Sequence, residues 1–148
     1  DIRWLRCDLK TVSMLANCLL RQHAIDKGCA ETVLFRDSFL TEGAASSIFV
    51  CKDGVLLVPP KSHLMLPGIT YDVVLELART HGMKHEVREV LEAEVRSADE
   101  LWMTSSTKEV LPITSLDGRA VGDGKPGPMG RQMYAWYQDF KNTVMRNG

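Results

Sequence analysis

Four short stretches of this sequence carry side chains whose types and spacing could do chemistry. The first is Lys10, in Arg6-Cys7-Asp8-Leu9-Lys10-Thr11. A lysine in such a pattern is ordinarily a solvated surface charge. To attack a carbonyl, its amine must be partly desolvated, so that it is neutral often enough to act. The second is Glu42, in Leu40-Thr41-Glu42-Gly43. Alone it reads as an exposed turn carboxylate. The small residues Gly43, Ala44 and Ala45 that follow would, however, let a flat ring lie close to the backbone.

The third stretch is Leu66-Pro67-Gly68-Ile69-Thr70, a glycine turn feeding a helix that starts near Tyr71. The first amides of a helix lack intrahelical partners and converge on one spot, where the helix dipole favours an anion. Thr70 can add a hydroxyl there, or it can simply cap its own helix. The fourth stretch is Thr104-Ser105-Ser106-Thr107, directly after the apolar run Leu101–Met103. Four consecutive hydroxyls at a strand end are either a polar turn or a set of donors for a phosphate.

The elements that must position these residues follow from hydrophobic periodicity. Residues 11–27 read as a helix, with Val12, Leu15, Ala16, Leu19 and Leu20 on one face. Thr11 is its expected N-cap and Gly28 its stop. Met14, Cys18 and Ile25 form a second apolar stripe, which predicts packing on more than one side. Strands are expected over 31–36, 47–51, 55–58, 86–90 and 100–104, with Phe39-Leu40 pairing back after a turn at Asp37-Ser38. Asp53-Gly54 and Asp117-Gly118 are turn signals. Helices are expected over 71–81 and 92–97. After a Gly/Pro-rich loop at 122–130, Met129, Met133, Trp136, Tyr137, Phe140 and Val144 line one face of a last helix. Mixed strands and helices with hairpins predict a mixed α/β (α+β) domain spanning 1–148.

Composition narrows the function. The formal net charge of the 148 residues is −1, with no basic cluster for nucleic acid or a membrane surface. No apolar run approaches the ~20 residues of a spanning helix. The start, Asp1-Ile2-Arg3-Trp4-Leu5-Arg6-Cys7, lacks the pattern of a signal peptide. Cys7, Cys18, Cys29 and Cys51 form no C-x-x-C pair and no metal spacing with histidine. They are expected to be reduced and mostly buried, in a cytoplasmic protein. Gly124-Lys125-Pro126 lacks the spacing of a phosphate loop, and neither G-x-G-x-x-G nor G-x-S-x-G occurs.

Taken together and in order, Arg3-Trp4-Leu5-Arg6-Cys7-Asp8-Leu9-Lys10, Thr41-Glu42-Gly43, Leu66-Pro67-Gly68-Ile69-Thr70 and Thr104–Pro112 resemble the fold-type IV enzymes dependent on pyridoxal 5′-phosphate (PLP). The RWLRCD-x-K form resembles the D-amino-acid transaminase branch in particular. The resemblance implies the larger, C-terminal domain of that fold, with a barrel-like sheet and surrounding helices. It implies that Lys10 is the Schiff-base lysine and shuttles the substrate proton. Glu42 would hydrogen-bond the pyridine nitrogen, and Leu66 would pack on the ring. Ile69, Thr70 and Ser106 would bind the phosphate, with Ser105 and Thr107 supporting them. The implied reaction moves an amino group from a D-amino acid such as D-alanine to a 2-oxo acid such as 2-oxoglutarate, in a homodimer. A branched-chain L-amino-acid aminotransferase, an aminodeoxychorismate lyase, and a non-catalytic binding or assembly domain remain alternatives. The resemblance also implies an N-terminal domain that grips the substrate carboxylate and adds an arginine to the phosphate, and that domain is expected to be missing from these 148 residues. Exposed apolar area is therefore expected on the surface that would meet it.

Overall fold

The computed structural model describes residues 1–146. The first half runs through α1 (Leu15–Asp26), β1 (Val33–Arg36), β2 (Phe39–Gly43), β3 (Ser47–Lys52), β4 (Val55–Val58) and α2 (Ile69–Thr80). Then follow β5 (His85–Val87), α3 (Glu92–Arg96), β6 (Glu100–Ser105), β7 (Glu109–Ile113), β8 (Ser115–Leu116), β9 (Arg119–Ala120) and α4 (Pro128–Phe140). A π-helical turn over Lys141–Met145 extends α4, and it leaves Val144 exposed rather than on the packed face. Three reversals are two-residue turns with positive φ at both centres: Asp37-Ser38, Asp53-Gly54 and Asp117-Gly118. That geometry matches the twist of antiparallel strands, so it joins β1 to β2, β3 to β4 and β8 to β9.

Five strands form the main sheet, in the order β5-β4-β3-β6-β7. β4 and β5 are parallel and α2 is the crossover between them; the other neighbours are antiparallel. The sheet is open, with β5 and β7 as its edges, and the hairpins β1–β2 and β8–β9 stand apart from it. The barrel-like closure implied by the resemblance is thus corrected to an open sheet. β7 is not among the expected strands, and its Pro112 cannot donate to a ladder. An edge strand tolerates it, and Pro112 sits opposite Trp102 of β6.

Alternation along β3 and β6 divides the core in two. Phe49, Cys51 and Trp102 join Tyr71, Val74, Ala78, Met133 and Tyr137, so this face is covered by α2 and α4. Ile48, Val50, Leu101 and Met103 join Leu40, Val90, Val95 and Val121 on the other face. Glu100 serves α4 from the sheet. Its buried carboxylate accepts the amides of Met129 (2.9 Å) and Gly130 (2.8 Å) and the Trp102 indole N–H (3.2 Å). A side chain at Gly127 would occupy the space of this carboxylate, and one at Gly130 would press on the indole.

α1 departs most from expectation. It begins at Leu15, and Thr11 Oγ1 accepts the amide of Ser13 outside the helix instead of capping it. Ala24 is its one buried residue, while Val12, Leu15, Leu19 and Ile25 are exposed, so packing on two sides is not found. Periodicity identifies an apolar stripe, and nothing among the described residues covers this one. Three side-chain bonds tether the helix: Asn17 Nδ2 to the Ala44 carbonyl (2.9 Å), Thr32 Oγ1 to the Leu20 carbonyl (2.7 Å), and Arg21 to the Ala30 carbonyl. All four cysteines are free; Cys7 and Cys51 are buried, whereas Cys18 and Cys29 are exposed, contrary to the expectation of mostly buried thiols.

Candidate active site

A cleft of about 690 Å³ lies between the segment Trp4–Asn17, the β2–β3 turn, the N-terminus of α2 and the end of β6. Its walls include Lys10, Glu42, Leu66, Ile69, Thr70, Ser105 and Ser106, brought together from four separate parts of the chain. Its volume is that of a site for a small organic ligand. Thr107 stays outside the wall, with its hydroxyl 3.4 Å from Ser105 Oγ.

Glu42 is not an exposed turn residue: it lies within β2, next to its last residue, and is 4% exposed. Both of its hydrogen bonds fall on Oε1, from Arg3 Nη1 and from the Leu66 amide (3.1 Å). Oε2 has no hydrogen-bond partner among the described residues. Burial pushes the Glu42 carboxyl above its ordinary value, while the Arg3 guanidinium and the Leu66 amide oppose that shift. Arg3 was not singled out in the sequence. It is itself buried and is held by Asp1 through Nε (2.9 Å) and Nη2 (2.7 Å), and by the Leu64 carbonyl (2.9 Å). An arginine in RWLR reads as surface charge, and only the fold shows its partner thirty-nine positions on. Gly43 also has a different role from the one expected. It does not line the cleft; a side chain there would collide with Ser46 across the tight turn. Ala44 and Ala45 do line it.

The N-terminus of α2 is open. Gly68 is the N-cap and no side chain caps the end. Thr70 is the second helical residue and buried, so it is not the cap of its own helix. The leading amides of α2 therefore keep their donors for a ligand. Thr104, at the end of β6, lines the same cleft, and its buried Oγ1 has no hydrogen-bond partner. A buried hydroxyl without a partner is costly and uncommon. An unpaired hydroxyl, an uncapped helix start and the exposed Ser106 suit an anion such as a phosphate monoester.

Lys10 lines the opposite wall and is solvent-exposed, so the described residues do not desolvate it. The same side carries a run of exposed apolar residues, Trp4, Leu5, Leu9, Val12 and Leu15, and Ile69 faces solvent at the start of α2.

The model of the family described as amino-transferase class IV matches residues 1–116. The chain belongs to that family. It is 40% identical over 139 residues to the D-alanine aminotransferase of Bacillus licheniformis, covering 94% of this chain and 49% of that protein. It is 37% identical over 137 residues to the D-alanine aminotransferase of Listeria monocytogenes, covering 93% of this chain and 47% of that protein. Among solved structures, the branched-chain amino acid aminotransferase from Thermobaculum terrenum in its PLP form superposes with a TM-score of 0.84 at 28% identity. That match covers 90% of this chain and 45% of that one. The Escherichia coli branched-chain enzyme superposes with a TM-score of 0.81 at 30% identity, over 95% of this chain and 49% of that one. The chain thus spans about half the length of the class IV aminotransferases it matches. No helix of the described residues is long and apolar enough to cross a membrane.

Proposed function

We propose that the cleft binds PLP and that the protein transfers an amino group between a D-amino acid, such as D-alanine, and a 2-oxo acid, such as 2-oxoglutarate. The observation that carries this reading is the convergence, in one cleft, of Lys10, Glu42 and the uncapped N-terminus of α2. When bound, PLP supplies a protonated pyridine ring that takes up the electron pair released from the substrate Cα. Glu42 would accept a hydrogen bond from the ring nitrogen at Oε2, the oxygen left free by Arg3 and Leu66. Arg3 holds that carboxylate in place from behind. Lys10 Nζ would tether the cofactor and then carry the proton that leaves Cα. Ile69 and Thr70 would bind the phosphate through their amides, with the hydroxyls of Ser105 and Ser106 beside them, and Leu66 would pack on the ring.

The D-amino-acid reading is supported by 40% identity to a D-alanine aminotransferase, against 28–30% to the two branched-chain enzymes. Family fold likeness alone does not separate them, so branched-chain L-amino acids are the second reading. A homodimer, an N-terminal domain that covers the exposed apolar face beside the cleft, and a cytoplasmic location in keeping with four free thiols complete the proposal. The test is a panel of D-alanine, D-glutamate, L-leucine and L-valine with 2-oxoglutarate and PLP, on the full-length gene product. Turnover of the D-substrates, abolished by Lys10→Ala, is expected. Turnover of L-leucine and L-valine alone would replace the first reading by the second, and turnover that survives Lys10→Ala would overturn both.

A further inference from the structure

We propose that Ser47 and Thr104 form a second layer of phosphate recognition, a pair of hydroxyls on adjacent strands beneath the N-terminus of α2. This rests on the PLP reading of the same cleft. Ser47 opens β3 and Thr104 lies directly opposite it on β6. Side chains paired across antiparallel strands stand side by side on one face of the sheet. Here that face is the one carrying Phe49 and Trp102, against which α2 packs. A Cβ placed on Gly68, the N-cap of α2, would lie 3.6 Å from Ser47 Oγ, so the pair sits immediately under the helix start.

Both residues are buried, at 6% and 2% exposure, and both line the cleft. Neither hydroxyl has a hydrogen-bond partner among the described residues, and Thr104 Oγ1 is sealed from solvent as well. Stability alone would favour Ala and Val at these two positions, because an unpaired buried hydroxyl costs free energy that a methyl group does not. In this proposal the Thr104 hydroxyl turns toward the anion about χ1, the torsion that places Oγ1 and the methyl group. The pair then donates to the anion held by the helix amides, from a rigid sheet rather than from the exposed turn at Ser106.

The experiment measures binding of PLP and of pyridoxal, which lacks the phosphate, by absorbance titration of the full-length gene product, together with thermal unfolding of the ligand-free protein. Thr104→Val is expected to weaken PLP binding on the order of tenfold, the worth of a hydrogen bond to a charged group. Ser47→Ala is expected to weaken it about three- to tenfold on the same basis. Both should leave pyridoxal binding unchanged within about twofold, and Thr104→Val should leave the ligand-free melting temperature the same or higher. Thr104→Ser should restore PLP binding. Equal loss for PLP and pyridoxal would mark a merely structural role and overturn the proposal, as would unchanged PLP binding in both variants. If wild-type protein binds PLP and neither variant weakens that binding, this inference alone is overturned, whereas wild-type protein that binds no PLP overturns the cofactor reading with it.

Discussion

On one wall of the cleft, α2 and the ends of β3 and β6 rest on Phe49, Trp102 and Val74, none of which is exposed to solvent. On the other wall, Lys10 stands in a segment flanked by Leu9, Val12 and Leu15, all open to solvent, and α1 buries only Ala24. The first wall is fixed by the core: Phe49 stacks on Trp102 at 6.1 Å and meets Tyr71 at 5.6 Å, and the Tyr71 hydroxyl donates to the Pro59 carbonyl (2.8 Å). The second is fixed by a few tethers, chiefly the Arg3–Glu42 pair and the bonds from Asn17 and Arg21. The groups expected to bind a phosphate therefore rest on the buried core, while the group expected to react stands on an exposed segment.

The contrast is broken most directly by truncating each wall. Phe49→Ala should cost about 3–5 kcal/mol of folding stability in urea unfolding, because the void cannot collapse under Trp102 and Tyr71. Leu15→Ala on the other wall should change stability by less than about 0.5 kcal/mol. Equal losses would mean that α1 is packed after all. Next comes the joint between the walls. Arg3→Met strands the Glu42 carboxylate without its cation, and a loss of about 3 kcal/mol at neutral pH is expected, as for other buried pairs missing one partner. A loss near zero would show that Glu42 does not depend on Arg3.

The smallest effect is a pH dependence. Burial holds the Glu42 carboxyl above its ordinary value even with Arg3 beside it. Its contribution to stability is then fully present below the unfolded-state value and is lost as pH rises through the folded-state value. Glu42→Gln cannot ionise. The stability of wild type relative to this variant should therefore fall as pH is raised through and above the ordinary glutamate range. A pH-independent difference, or one that grows with pH, would contradict the assignment of burial as the dominant cause.

The site was legible as four short local motifs, though the roles come only from the resemblance of all four taken together: alone, Lys10 reads as a surface charge, Glu42 as a turn carboxylate, Leu66, Ile69 and Thr70 as a helix start, and Ser105 and Ser106 as a polar turn. All of them line the cleft. The hairpin turns at Asp37-Ser38, Asp53-Gly54 and Asp117-Gly118 were legible for the same local reason. What was not legible depends on contacts distant in sequence. Arg3 acquires meaning only from Glu42, and the pairing of Ser47 with Thr104 only from the β3–β6 register. β7, with its Pro112, is not among the expected strands; its place at a sheet edge is a property of topology. Periodicity found the apolar stripe of α1 but could not say what lies over it. Gly43 looked like a seat for a ring and is instead a steric requirement of the turn to Ser46.

The proposal that this cleft holds PLP with Lys10 as its covalent anchor is open to one chemical test. Borohydride reduction after incubation with PLP, followed by peptide mass mapping, tests it most directly. One pyridoxyl group is expected, on Lys10, lost in Lys10→Ala without relabelling elsewhere. Label spread over surface lysines such as Lys27, Lys84 and Lys125, or none at all on the full-length gene product, would contradict it.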